Sequence, residues 1–254
     1  TSGIAKEHFT RVLREDPAQK GLLYAGTENG MYVSYNDGAA WQSFQNNLPL
    51  VPITDLAVKD NALIVATQGR SLWMIDDLTV LHQLLAAGNS SAKTARLFDP
   101  KDAYRTKGRG GRASLTAGTN LPNGVITHFY LPEGMEQDSV VLNYHNAAGD
   151  LLASFSNKAK ERKDKLTLTA GANSFVWDTR GTGSELLPGM IMWWANLDGP
   201  KAVPGAYKVS MSVGDQAIAT HDFNLMADPR AEASVADMQA QYDFITAVNT
   251  TINE

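Results

Sequence analysis

Between residues 22 and 77, short apolar and β-branched runs alternate with tight-turn signals. The runs 22–27, 31–35, 53–58, 63–67 and 71–75 are each one strand long. Asn29-Gly30 and Asp37-Gly38 stand between or beside them. Such pairs flanked by apolar runs are the strongest short-range hairpin signal. With the stretch around Trp41, about six strands are expected here. Upstream, His8, Phe9, Val12 and Leu13 precede Asp16-Pro17, which predicts a short helix or an extended lead-in ended by the proline. From 78 to 87 the period changes. Leu78, Leu81, Leu84 and Leu85 share one helical face, with Asp77 or Thr79 to cap the start and Gly88 the end.

Residues 88–96 are small and polar and read as a linker. The glycine-rich, basic stretch 104–112 follows. It lacks the Gly-Lys-Ser/Thr ending of a phosphate loop and reads as a surface crossover. From Gly124 the pattern is all-β, with strands expected at 125–131, 140–144, 151–155, 166–169, 173–177, 207–213 and 217–225. Over 207–213, Tyr207, Val209, Met211 and Val213 alternate with Lys208, Ser210 and Ser212, the period of a half-buried strand. Within the insertion 178–204, Trp193 and Trp194 would point to opposite faces of a strand. Residues 234–253 form the clearest helix. Ser234 and Asp237 make a capping-box start, and Val235, Met238, Tyr242, Ile245, Val248 and Ile252 make one apolar stripe.

These elements predict a mainly β chain: partial β-propeller blades, then an immunoglobulin or fibronectin type III-like β-sandwich, then a C-terminal helix. The expected segments are a terminal blade region at 1–88, a linker at 89–122, the sandwich at 123–228 and the amphipathic helix at 229–254. A single blade cannot bury both faces of its sheet, so the chain is expected to be the C-terminal part of a longer propeller protein, unless the strands cover themselves in another way. The helical stripe runs to the chain end and must pack on the sandwich or on a second copy, which makes a symmetric dimer through this helix an expectation.

At 254 residues the chain can bury a real core in one large or two medium units. A net charge of −5 and a pI near 5.5 argue against a nucleic-acid partner or an anionic membrane surface. No run approaches the ~20 apolar residues of a membrane-spanning helix. The chain starts at Thr1, so the lack of a signal peptide carries no weight. With no cysteine, disulfide frameworks, thiolate zinc sites and the antibody-type cystine core are all excluded.

The stretch Ser34-Tyr35-Asn36-Asp37-Gly38-Ala39-Ala40-Trp41 resembles the Asp-box, the Ser-x-Asp-x-Gly-x-x-Trp hairpin of bacterial-neuraminidase-type (BNR) repeats. Asn36 stands where the box has its Asp, and Asp37 follows. The pattern is a folding device: a short side chain bonds the turn's own amides, Gly takes a positive φ, and the aromatic plugs a gap. Ser34, Asn36, Asp37, Gly38 and Trp41 are therefore expected to be structural. With 22–27, Asn47-Leu48-Pro49 and 66–77, the stretch looks like the closing blade of sortilin-like propellers of exported bacterial proteins, many labelled glycosyl hydrolases. The phrases 171–178 and 204–209 resemble Ig-like modules appended to such proteins, and extend the likeness over most of the chain. The resemblance implies a periplasmic or extracellular location, with the rest of the propeller as partner.

Candidate chemistry is sparse. Glycoside hydrolysis needs two carboxyls flanking a cleft. Glu28, Asp37, Asp55, Asp76 and Asp77 are the candidates by type, and all sit at turns or strand ends. The acids of sortilin-like glucan hydrolases lie in blades this chain lacks. His8, His82, His128, His145 and His221 show no metal-ligand spacing, and no Gly-x-Ser-x-Gly elbow is present. No catalytic residue, metal or cofactor is expected. The reading is a non-catalytic structural or binding module of an exported propeller protein. The alternative is part of a polysaccharide-acting glycoside hydrolase with its active site mostly elsewhere. Trp193 and Trp194 are the candidate contacts for a carbohydrate or protein ligand.

Overall fold

The structure, a computed structural model, describes residues 2–86, 94–106, 121–185, 189, 191, 193 and 197–254. The chain is mainly β and ends in a helix. Its contacts divide it into two compact units, Thr1–Asn89 and Ser90–Glu254.

In the first unit, β1 (Thr10–Glu15), β2 (Leu23–Thr27), β3 (Gly30–Ser34) and β4 (Gln42–Ser43) form an antiparallel meander in chain order. A second meander joins β5 (Ile53–Lys59), β6 (Ala62–Thr67) and β7 (Leu72–Ile75). Of the two readings of the N-terminal stretch, the extended one holds and the helix does not form: the stretch is the edge strand β1, where Leu13, Arg14 and Glu15 pair with Ala25, Tyr24 and Leu23.

The alternation along β2 and β3 decides where each side chain goes. Tyr24, Met31 and Val33 enter the main core with Val12, Ile53, Leu56, Leu63 and Val65. Ala25, Tyr32 and Trp41 form a small cluster on the other face, packed by Ile4 and Leu23. The two sheets meet closely at Gly26. A Cβ there would lie 2.5 Å from Ile53 Cγ2 and 2.7 Å from Val12 Cγ1, so only glycine admits this approach.

Among the described residues of this unit, the second sheet is covered on one face only. Leu63, Val65, Trp73 and Ile75 face the shared core. Their strand neighbours Ala57, Ile64, Ala66, Leu72 and Met74 face the other way. Leu72 is 71% exposed and Met74 57%. The helix α1 (Thr79–Ala86) closes the core edge with Leu78, Leu81 and Leu85. Asp77 Oδ1 caps it by accepting from the Thr79 amide at 2.9 Å.

In the second unit, β8 (Arg96–Leu97), β10 (Val125–Leu131) and β13 (Gly171–Trp177) form one sheet in the order β13-β10-β8. A five-stranded sheet contains β9 (Ala103–Arg105), β11 (Val140–Asn146), β12 (Leu151–Ser156), β14 (Gly205–Val213) and β15 (Gln216–Ala227), in the order β12-β11-β14-β15-β9. Both sheets feed one core. At its centre Trp177 stacks on Tyr144, ring centroids 4.5 Å apart, and both are fully buried. The Tyr144 hydroxyl pairs with Thr127 Oγ1 at 2.7 Å, so no polar atom of the stack is stranded.

One expectation is corrected here and one refined. Residues 166–169 form no strand. Leu166 is buried, but the stretch is held by the Asn173 side chain, which accepts from the Thr169 amide at 2.9 Å. The segment 89–122 is not only a linker, since it supplies β8 and β9, the latter pairing in parallel with the end of β15. The basic stretch 104–112 lies outside the described residues from 107 onward.

The C-terminal helix α2 (Val235–Asn253) starts with the expected reciprocal Ser234–Asp237 capping box. Its apolar stripe is covered in part. Met238 is buried, Tyr242 and Ile245 are half-buried, and Val235, Val248 and Ile252 are exposed, as is Phe244. Among the described residues no helix is long and apolar enough to cross a membrane.

The core stack yields a direct prediction. Trp177→Ala should remove about 3–5 kcal/mol of unfolding free energy, read by urea unfolding of the second unit's circular dichroism. A loss under about 1 kcal/mol would mean the stack is not central.

Candidate functional site

The turn 34–41 has the local bonding its residue types imply. Ser34 Oγ accepts from the Gly38 amide at 2.9 Å and donates to Asn36 Oδ1 at 3.1 Å. Asn36 Oδ1 accepts from the Ala40 amide at 2.9 Å. Trp41 Nε1 donates to the Gly38 carbonyl at 3.1 Å while the indole is buried. Asp37 and Gly38 take positive φ, 57° and 80°. Asn36 is thus the turn's acceptor, and Asp37 is an exposed residue whose amide donates to the Gly21 carbonyl. All five side chains or backbones serve the turn.

The other carboxylates are scattered, and three of the four are engaged. Glu28 pairs with Arg11. Asp55 Oδ1 accepts from Arg14 at 2.7 Å and from the Leu56 amide at 2.8 Å. Asp77 caps α1 and accepts from Asn61 Nδ2 at 3.0 Å. Asp76 follows the end of β7 and is half-buried. Among the described residues no three His, Asp or Glu side chains gather as a metal-binding group. The histidines lie apart: His8 meets the Tyr32 hydroxyl, His145 the Gly149 carbonyl, and His221 Asp99 with the Leu97 carbonyl.

One buried titratable cluster was not anticipated. Asp16 is buried between β1 and β2. Its Oδ1 accepts from the Ala18 and Gln19 amides at 2.9 and 3.2 Å. Its Oδ2 accepts from the Tyr24 hydroxyl at 2.9 Å and lies 2.9 Å from His82 Nε2 on α1. A carboxylate has about four lone-pair directions, and here four donors fill them, so no lone pair is left for a substrate. Burial opposes the charge, but the His82, Ala18 and Tyr24 bonds outweigh it and hold Asp16 below the usual carboxylate range. Burial and the Asp16 charge push the Tyr24 hydroxyl upward. The cluster ties α1 to the sheet.

Trp193 is 87% exposed and Ile191 84%. Trp193 itself lies in a bend and not in a strand. Trp194 lies outside the described residues.

A cleft of about 420 Å³ lies wholly in the second unit. Arg105 and Thr106, at the end of β9, form one side. Arg180 and Lys201, joined by an isolated antiparallel bridge, form another. Asp237, Met238, Gln241 and Ile245 of α2 close it. Arg105 Nη2 donates to Gln241 Oε1 at 2.9 Å, and Lys201 Nζ to the Thr106 carbonyl at 2.8 Å. Burial, then the charges of Arg180 and Arg105, hold Lys201 below the usual lysine range. Burial likewise lowers Arg105. No motif marks this cleft, because its residues come from four distant stretches.

No protein-family model matches the chain, and no curated protein does. Two solved structures show a remote likeness, both of an extracellular domain of BT4673 from B. thetaiotaomicron. The first, titled a one component system, is 12% identical with a TM-score of 0.25, covering 90% of this chain and 26% of that one. The second, titled a hybrid two component system, is 12% identical with a TM-score of 0.23, covering 87% and 26%. The chain spans about a quarter of the length of those structures. At these TM-scores the likeness supports no argument.

The Asp16 cluster predicts the sign of one pH effect. Because the folded group is depressed, its contribution is complete above the unfolded carboxylate pKa of about 3.9 and is lost as pH falls through its lower folded value. In Asp16→Asn the loss of unfolding free energy below about pH 4 should be shallower. An unchanged acid limb in urea melts would show that Asp16 is not held this way.

Proposed function

We propose that this chain is a non-catalytic structural and binding module of an exported propeller-type protein. The observation that carries this reading is the second sheet of the first unit. One of its faces is buried on the first sheet, and the other presents Leu72 and Met74 to solvent. A four-stranded meander stacked on a three-stranded meander is what consecutive propeller blades look like, and the open face is the one a further sheet of the same kind would cover. The Ser34–Trp41 turn, with its Asp-box-like bonding, supports the same parentage. The second unit, two sheets around a buried Trp–Tyr stack, supports an Ig-like, fibronectin type III-like assignment. An extracellular or periplasmic location goes with that parentage.

The scatter of the carboxylates favours a binding role over hydrolysis. Exposed Trp193, beside exposed Ile191, is the contact this reading offers to a carbohydrate or protein ligand.

One panel of plant and bacterial polysaccharides and oligosaccharides tests both parts. The expected outcome is no release of reducing ends, together with an intrinsic-fluorescence change that disappears in Trp193→Ala. Turnover abolished by Glu28→Gln or Asp55→Asn would overturn the non-catalytic reading. A flat titration with every glycan would remove the carbohydrate role of Trp193.

A further inference from the structure

We propose that the cleft between α2 and the Arg180–Lys201 bridge binds a small oxyanion-bearing molecule, its carboxylate, phosphate or sulfate head held by Arg105, Arg180 and Lys201.

Three cations line one cleft, and they are close enough that Arg180 and Arg105 each disfavour the charge on Lys201. Like charges gathered at a partly buried site cost stability unless an opposite charge offsets them. The protein supplies part of that offset, since Asp178 and Asp198 pair loosely with Arg180 and Asp178 also favours the charge on Lys201. Asp178 and Asp198 lie 3.8 and 3.9 Å from Arg180 Nε, beyond hydrogen-bond reach, and both are largely exposed. Among the described residues, neither Arg105 nor Lys201 has a carboxylate at ion-pair distance. The remaining acid on the wall, Asp237, already accepts from the Ser234 amide at 2.9 Å and the Ser234 hydroxyl at 2.6 Å.

An unused donor points the same way. Among the described residues, Arg105 Nε is buried with no hydrogen-bond partner, although Nη2 of the same guanidinium is taken by Gln241. Buried polar atoms are nearly always paired, and each unpaired one costs about 1–3 kcal/mol. A planar guanidinium with a free edge is suited to an oxyanion, which it binds through parallel N–H donors. The volume of about 420 Å³ lies in the range of small-molecule sites. Buried Met238 and half-buried Ile245 offer an apolar floor for a short organic body. The site lies outside the open face of the first unit and does not depend on the module reading.

Isothermal titration calorimetry of the full chain with phosphate, sulfate and acetate, against chloride at constant ionic strength, tests the site. Saturable binding of at least one of the three is expected, and the one that binds identifies the head group. Arg105→Gln and Lys201→Gln should each weaken it roughly tenfold, the loss of one charge-assisted bond, while Lys163→Gln, outside the cleft, leaves it unchanged. Asp237→Asn should tighten binding a few-fold by removing the acid from the wall. Circular dichroism of each variant separates lost binding from lost fold. Saturable binding of none of the three by the unaltered chain would overturn the proposal. So would binding that survives unchanged in both folded cleft variants.

Discussion

A β-sheet has two faces, and in water each apolar face must be covered. This constraint explains most of the first unit. The alternation along β2 and β3 sends Tyr24, Met31 and Val33 to one side and Ala25 and Tyr32 to the other. The first side is covered by the second sheet, at a spacing close enough that position 26 admits only glycine. The other is covered by the chain itself, through Ile4 and the Trp41 indole that the 34–41 turn folds inward. The same alternation in β5–β7 buries Leu63 and Val65 but has nothing to set on Leu72 and Met74. Among the described residues of this unit, three faces of its two sheets are covered and the fourth is open.

The second unit meets the constraint internally. Its two sheets enclose one core, and the Trp177–Tyr144 stack fills the centre with its polar atoms paired to Arg180 and Thr127. The Trp177 indole donates to the carbonyl of Arg180 at 2.7 Å, so the core residue also fixes the backbone that carries a cation of the cleft. Packing and electrostatics are connected at that bond. The core holds Arg180 beside Lys201, and α2 brings Gln241 to Arg105.

Much of this was legible in the residues. Asn-Gly and Asp-Gly marked real turns, and five of the six strands between Leu23 and Ile75 follow the apolar runs, the exception being the polar pair β4. The capping box of α2 was written in Ser234 and Asp237. What escaped had physical reasons. Strands β8 and β9 are two and three residues long, too short for any period, and exist because distant strands offer them a free edge. Residues 166–169 do alternate, but alternation describes side chains and not whether a backbone finds a partner. The stripe on α2 announced a helix without saying how much of it would be covered. The cleft was invisible because Arg105, Arg180, Lys201 and Gln241 share no local pattern. Asp16, which sits before a proline in a turn signal, gave no hint that Tyr24 and His82 would converge on it.

The central claim is that, among the described residues, the outer face of β5–β7 leaves Leu72 and Met74 uncovered. Binding of the dye ANS, which fluoresces on accessible apolar surface, measures it most directly. The account predicts saturable fluorescence in the unaltered chain and a return to baseline in Leu72→Ser combined with Met74→Ser, with the urea midpoint unmoved. No fluorescence in the unaltered chain, or the same fluorescence in the double variant, would contradict it.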